Sequence, residues 1–332
     1  MSGISGIGGI SGMSGMSGIG GIEALRGVWN IVPTPFLPDG SLDGASLPGL
    51  VRFVRATGVD GMTILGVLGE AGRLGDAERT RVQELVLAEA GSSIPVCVGV
   101  SHASTDRAIA FAREAQAAGA HSVMLAPPPL ARPTDAALRR HYLAVAEAIT
   151  IPVVVQDHPA SSGVPMSVDF LLALAAEAPS CRVIKLEEEP TPPKAGRLVA
   201  GSPDVIVLGG LGGEMLLEEL RRGSHGTMTG FGFPEVLVAV VRRWNAGDRD
   251  GAAAVFDRFA TLIRFENQAL INLPIRKTVY QWRGAIANAT VRAPGVGPDA
   301  ATVDDLRDVL RRTGLDAHFA PGSVLPSLLA PA

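Results

Sequence analysis

The chain has 332 residues, 47% of them hydrophobic and 19% charged, which is apolar material for one large core or two ordinary ones and too much for a disordered chain. A formal net charge of -4 gives no basic face for nucleic acid, and no apolar run approaches the roughly 18 residues that span a bilayer. With those two partner classes set aside, a small molecule is the expected ligand.

The first 22 residues, MSGISGIGGISGMSGMSGIGGI, repeat Gly, Ser, Ile and Met without a basic leader or a continuous apolar stretch. They read as a flexible tail rather than a signal peptide. From Trp29 onward, short β-rich runs alternate with longer helical patterns. The runs are residues 29–34, 61–66, 95–100, 122–127, 152–157, 182–187, 204–210 and 226–231. Nearly all are apolar without in/out alternation, the mark of parallel strands buried on both faces. Cys97 and Cys181 lie inside such runs, which fits neither a disulfide framework nor a thiolate metal site and suits a reducing cytoplasm.

Helical stretches at 76–90, 104–119 and 134–149 separate the runs, each opened by Ser, Thr or Asp as an expected N-cap. Eight βα units in this order predict an α/β chain folded as a (β/α)₈ TIM barrel over 23–247. A C-terminal helical extension over 248–316 and a tail over 317–332 would follow. A doubly wound sheet fits less well, since GGLGG at 209–213 is only a weak match to a dinucleotide-binding turn.

In a barrel of this kind the active site forms at the C-terminal strand ends. Few residues there are titratable. Lys185 stands out, in RVIKLEEEP (182–190), because it closes an apolar strand. The two-residue strand period puts Val183 and Glu187 on its side and turns Ile184 and Leu186 toward the helices. An amine in a dry barrel can attack a carbonyl to form a Schiff base, whose protonated imine is an electron sink. The same residues also read as a structural lysine paired with Glu187, Glu188 or Glu189, and the pattern alone leaves both open.

Several motifs then carry a resemblance. GVWNIVPTPFLPDGSLD (27–43), GVLGEAGRLGDAER (66–79), IPVVVQDHPASSG (151–163), VIKLEEEP (183–190) and GSHGTMTGF (223–231) together resemble the dihydrodipicolinate synthase / N-acetylneuraminate lyase family, over residues 27–316. The resemblance implies a barrel with a helical extension and Lys185 as the residue that binds pyruvate or another 2-oxo acid covalently. It further implies a homo-oligomer, a dimer or tetramer, and a lyase that needs no cofactor and no metal. The backbone of Gly66, Val67, Leu68 and Gly69 would receive the substrate carboxylate. Thr34, Gly209, Gly210, Met228 and Thr229 would complete the substrate site.

The sequence departs from that family at three places. Val67 and Leu68 stand where the loop normally carries hydroxyls, Gln156 stands at the fifth-strand tyrosine, and Ser161 lies near the arginine of the synthase branch. These losses argue against the lysine-biosynthetic synthase reaction. Gln156 cannot titrate, so His158, two residues on, is the first candidate for a replacement acid/base and Glu187 the second. Asp157 should point outward and brace a loop, and Lys194, after the prolines of EPTPPK (189–194), should lie outside the barrel. His102, after the third strand, reads as a lone satisfied polar residue near the mouth. The expected reaction is aldol cleavage or dehydration of a 2-oxo acid. A barrel that binds a carbonyl metabolite without turnover and a metal-dependent aldolase are the alternatives.

Overall fold

The structure, a computed structural model, describes residues 21–318 and Leu325. Most of the two tails expected from the sequence lies outside the described residues. The eight strands are β1 (Gly27–Ile31), β2 (Gly61–Ile64), β3 (Val96–Gly99), β4 (Ser122–Leu125), β5 (Val153–Asp157), β6 (Val183–Leu186), β7 (Ile206–Gly209) and β8 (Gly226–Thr229). They are parallel and close in sequence order into a barrel, β8 pairing with β1.

The intervening helices are α1 (Ser46–Ala56), α2 (Asp76–Ala90), α3 (Thr105–Ala117), α4 (Asp135–Ala148), the short α5 (Pro159–Ser162), α6 (Val168–Glu177), α7 (Thr191–Gly201), α8 (Leu216–Arg221) and α9 (Pro234–Asn245). Three more follow: α10 (Arg249–Glu266), α11 (Asn272–Trp282) and α12 (Ala300–Thr313). The N-cap expectation needs correction for α2, where Gly75 occupies the cap and the Glu78 side chain accepts from its N–H at 3.0 Å, whereas Ser104 holds the cap position of α3, though without a side-chain bond. Thr134 does accept from the Ala137 N–H.

Every strand residue is buried, because one face meets the barrel interior and the other the helices. Trp29, Ile31, Cys97, Met124, Val154, Val183, Leu208 and Met228 fill the interior. Ile184 and Leu186 belong to the larger layer between barrel and helices. Each fully buried aliphatic side chain contributes roughly 1.5–3 kcal/mol. Trp29 is the largest interior group, and it fits because Gly61 sits opposite it: a Cβ there would lie 2.6 Å from the indole. In so apolar a setting burial pushes the Cys97 thiol up to about 12.

The C-terminal extension is bolted to the C-terminal strand ends of the barrel. Tyr280 of α11 accepts from Asn30 Nδ2 at 2.6 Å and donates to the Phe231 carbonyl. Arg283 pairs with Glu235 at 2.5 Å, bonds the Gly232 carbonyl and lies between the rings of Phe53 and Phe233. These bonds fix α11 over the ends of β1 and β8. That placement brings two cations of α11, Arg276 and Lys277, to the barrel mouth.

Buried acids give stability a definite pH sense. Glu219 lies behind β7 with a Thr191 hydroxyl at 2.6 Å, and burial raises it from 4.5 to about 7. The folded state therefore keeps a proton that the unfolded chain releases, so stability present below pH 4.5 is lost as pH rises toward 7. Asp157, raised to about 6, and Glu266, raised to about 7, act in the same sense. Replacing Glu219 by Gln should remove its share, about 3 kcal/mol at most. Thermal melts at pH 5 and pH 8 should show the variant gaining on the parent as pH rises; parallel profiles would contradict the assignment.

Candidate active site

Lys185 is the third residue of β6, in register with Gln156 on β5 and Leu208 on β7. Its side chain is 2% exposed. Nζ lies 2.7 Å from Glu187 Oε2, and the same oxygen accepts from Gln156 Nε2 at 2.8 Å. Strand register thus explains the trio: Gln156 is the lateral neighbour of Lys185, and Glu187 is two residues further along the chain, on the same side. Glu187 can fold over the strand end because residue 210 is glycine, where a Cβ would meet Glu187 Cγ at 2.3 Å.

His158 follows β5, and its Nδ1 stands 3.9 Å from Glu187 Oε1 with no hydrogen-bond partner among the described residues. Burial lowers its pKa below the usual imidazole value, only partly opposed by Glu187. The imidazole is accordingly neutral near pH 7.

Asp157 points to the other face of β5, as strand alternation requires. It is fully buried and bonds Lys194 Nζ at 2.5 Å, and Lys194 also bonds Glu188 and the Met166 carbonyl. The three acidic residues after Lys185 therefore divide. Glu187 enters the barrel, Glu188 joins Lys194 behind it, and Glu189 is exposed.

Lys185, Glu187 and His158 line a partly enclosed cavity of about 120 Å³, together with Val67, Leu68, Gly210 and Thr229. Arg276, Asn267 and Asn272 complete its wall. A second, more open cavity of about 400 Å³ touches it at Val67 and is lined by Gly66, Ser101, His102, Pro127, Gln156 and Ser161 among others. Several residues expected in the substrate site do not line either cavity. Thr34 donates to the Gly69 carbonyl at 2.7 Å and braces the loop from behind. Gly209 faces Glu219, and Met228 is packed in the barrel interior. Thr229 does line the smaller cavity, while its hydroxyl ties Gly210 to Gly212.

The Gly66–Gly69 loop is held by its neighbours. Leu65 and Glu70 flank it in the left-handed region, at φ 56° and 53°. Such a conformation persists in residues other than glycine only when surroundings enforce it. Glu70 supplies the enforcement, because its carboxylate takes Lys277 Nζ at 2.5 Å, Arg73 at 2.7 Å and the Arg292 N–H at 3.0 Å. The Lys277 and Arg292 contacts come from beyond the barrel, more than 200 residues along the chain.

Sequence reasoning missed Arg276, Asn267, Asn272 and Lys277. One signal was present: an Arg-Lys pair inside the otherwise apolar start of α11, NLPIRKTVY. Among the described residues no group of three or more His, Cys, Asp or Glu side chains is placed to hold a metal ion. No helix among them is long and apolar enough to cross a membrane.

Comparison with known proteins places the chain in a family. The sequence pattern of the Dihydrodipicolinate synthetase family matches residues 24–312. An L-2-keto-3-deoxyarabonate dehydratase of Azospirillum brasilense is 34% identical over 275 residues, 81% of this chain and 88% of that protein. A 4-hydroxy-tetrahydrodipicolinate synthase of Sorangium cellulosum is 32% identical over 87% of this chain and 96% of that one. The crystal structure of dihydrodipicolinate synthase from Rhodopseudomonas palustris superposes with a TM-score of 0.82 at 35% identity, covering 87% and 98% of the two chains.

Proposed function

The chain belongs to the dihydrodipicolinate synthetase family, and on that premise we propose that it is a lyase whose Lys185 forms an imine with a 2-oxo acid. The observation that carries this reading is a lysine buried at the end of β6, lining a cavity, with a carboxylate at 2.7 Å. Glu187 is within reach to take the proton that the Lys185 ammonium must lose before it attacks the C2 carbonyl. The carbinolamine hydroxyl then takes that proton back from Glu187 and leaves as water, which gives a protonated imine and returns Glu187 to its carboxylate form.

From that imine two outcomes share the same residues. In dehydration, Glu187 takes a proton from C3, the electrons pass into the imine to give an enamine, and the C4 hydroxyl departs with that proton as water. In aldol cleavage, Glu187 instead takes the C4 hydroxyl proton and the C3–C4 bond electrons flow into the imine, releasing an aldehyde. Gln156 cannot carry a proton, so it orients Glu187, and His158 serves as the second proton carrier.

Dehydration is the outcome we favour. Val67 and Leu68 supply no hydroxyl, and Ser161 supplies no cation for a dicarboxylic acceptor. The Azospirillum dehydratase supports loss of water from a 3-deoxy-2-oxo acid, whereas the synthases support bond formation. The loop Gly66–Gly69, with Gly210 and Thr229, positions the substrate. A homo-oligomer acting in a reducing cytoplasm belongs to the same reading.

Borohydride trapping is the direct test. Protein incubated with pyruvate or a 3-deoxy-2-oxo sugar acid and then reduced should carry the reduced adduct on the peptide containing Lys185, located by mass spectrometry. No adduct on Lys185 with any 2-oxo acid would sink the proposal.

A further inference from the structure

We propose that the 2-oxo acid turned over at Lys185 carries an uncharged apolar group, alkyl or aryl, on C4, and that the cavity over β3, β4 and β5 is the site that receives it. The inference rests on the imine reading above and adds to it the chemical class of the substrate's far end.

Lys185 and Glu187 line the cavity of about 120 Å³. That is small beside the roughly 300–1,000 Å³ of ordinary ligand pockets, so a substrate longer than its reacting carbons needs further room. The cavity of about 400 Å³ supplies it: Val67 lines both spaces, and Gln156, which bonds Glu187, lines the larger one. A group on C4, next to the carbon from which Glu187 takes a proton, leaves past Val67 and Gln156.

The wall of the larger cavity is mostly apolar, built from Leu65, Val67, Ala71, Met124, Ala126 and Pro127 among others. No Asp, Glu, Lys or Arg is among its described lining residues, so a second carboxylate or an amino group on the tail would find no counter-charge there. Val67 is 56% exposed, a large apolar side chain open to water where the two cavities meet. An alkyl or aryl group laid against it removes that surface from water, which a hydrated polyol does not.

The polar side chains of that wall serve the protein itself. Ser101 Oγ accepts the Ala126 N–H at 2.8 Å, and His102 Nδ1 accepts the Ser104 N–H at 2.9 Å. Ser161 and Ser162 both donate to the His158 carbonyl at 3.1 Å, and the Gln156 amide donates to Glu187. The donors left over, the Ser101 hydroxyl proton and the His102 Nε2–H, belong to exposed residues that water can satisfy. Hydroxyls on C5 and C6 of a substrate would exchange water for few partners, and each bond left unmade weakens binding.

The test compares 4-hydroxy-2-oxohexanoate with 4,5,6-trihydroxy-2-oxohexanoate, which share the reacting atoms and differ only in the tail hydroxyls. The first should have the higher kcat/KM by about 10- to 100-fold, the range over which an apolar pocket discriminates. Ala103→Asp places a charge at an exposed position of the wall and should lower that value by about tenfold. Pyruvate has no C4, so its half-saturating concentration in borohydride trapping should move by less than about threefold in the same variant, as for an ordinary surface substitution. Equal kcat/KM for the two acids, or a preference for the trihydroxy acid, would overturn the proposal, as would an Ala103→Asp variant with no loss or with an equal loss for pyruvate. Calorimetry with hexanoate and 5,6-dihydroxyhexanoate, which have no ketone, reads the cavity without the imine. Tighter binding of hexanoate, weakened by Ala103→Asp, in a protein that gives no adduct on Lys185 would keep the apolar site while the imine reading fell. An adduct on Lys185 with no preference for hexanoate would keep the imine and overturn the site.

Discussion

Lys185→Met is expected to lower kcat by about 10⁵-fold, the scale on which removing a covalent nucleophile acts. No other amine among the described residues shares its cavity: Lys194 is held behind β5 by Asp157 and Glu188, and Lys277 is held by Glu70. The substitution also removes the charge partner of Glu187, whose carboxylate is 7% exposed and would keep only the Gln156 amide. Breaking a buried pair from one side costs about 3–5 kcal/mol. The double variant Lys185→Met/Glu187→Gln removes both charges and should recover most of the lost melting temperature while staying inactive. That pattern separates chemistry from folding. A folded Lys185→Met protein that kept turnover within tenfold of the parent would remove the imine from the mechanism.

The second large effect concerns the proton. Glu187→Gln should reduce kcat by about 10²- to 10⁴-fold, the range of a lost general acid/base, and should slow borohydride trapping of Lys185 by a smaller factor, since solvent can also take the ammonium proton. Imine formation and proton transfer would then be resolved as different steps. His158→Ala should cost less than about tenfold, because its Nδ1 stands 3.9 Å from Glu187 and its neutral form is favoured by burial. A larger loss in His158→Ala than in Glu187→Gln would transfer the base role to the imidazole.

The distinction between these two candidates shows where sequence reasoning reached its limit. The two-residue strand period put Lys185 and Glu187 on one side, and the structure has them bonded. The same period put His158 on the side of Gln156, and the structure leaves it in the cavity but beyond hydrogen-bond distance of Glu187. Periodicity fixes a face and not a distance, and past the end of β5 the chain turns into α5, where the strand rule no longer applies. Asp157 and Lys194 were each legible as lying outside the barrel. Their pairing with one another was not, because nothing local to either residue specifies a partner 37 positions away.

The roles expected of Thr34, Gly209 and Met228 came from their place at strand ends. Strand ends alternate between cavity, interior and helix layer within one residue. Small differences in where each strand stops put Met228 in the packed interior and turn Gly209 to Glu219.

The sequence by itself determined the eight-stranded parallel barrel and the lysine at the end of β6. Strands buried on both faces must be apolar along their whole length, so a single ammonium at the end of such a run is conspicuous. Tertiary structure decided what surrounds that lysine. The Lys277–Glu70 pair joins residues 207 positions apart, and Arg276 enters the cavity from the helix after the barrel has closed. Such contacts have no period and no spacing. They exist because Tyr280 and Arg283 anchor α11 over β1 and β8, and only the packed barrel provides the surface to which they bind.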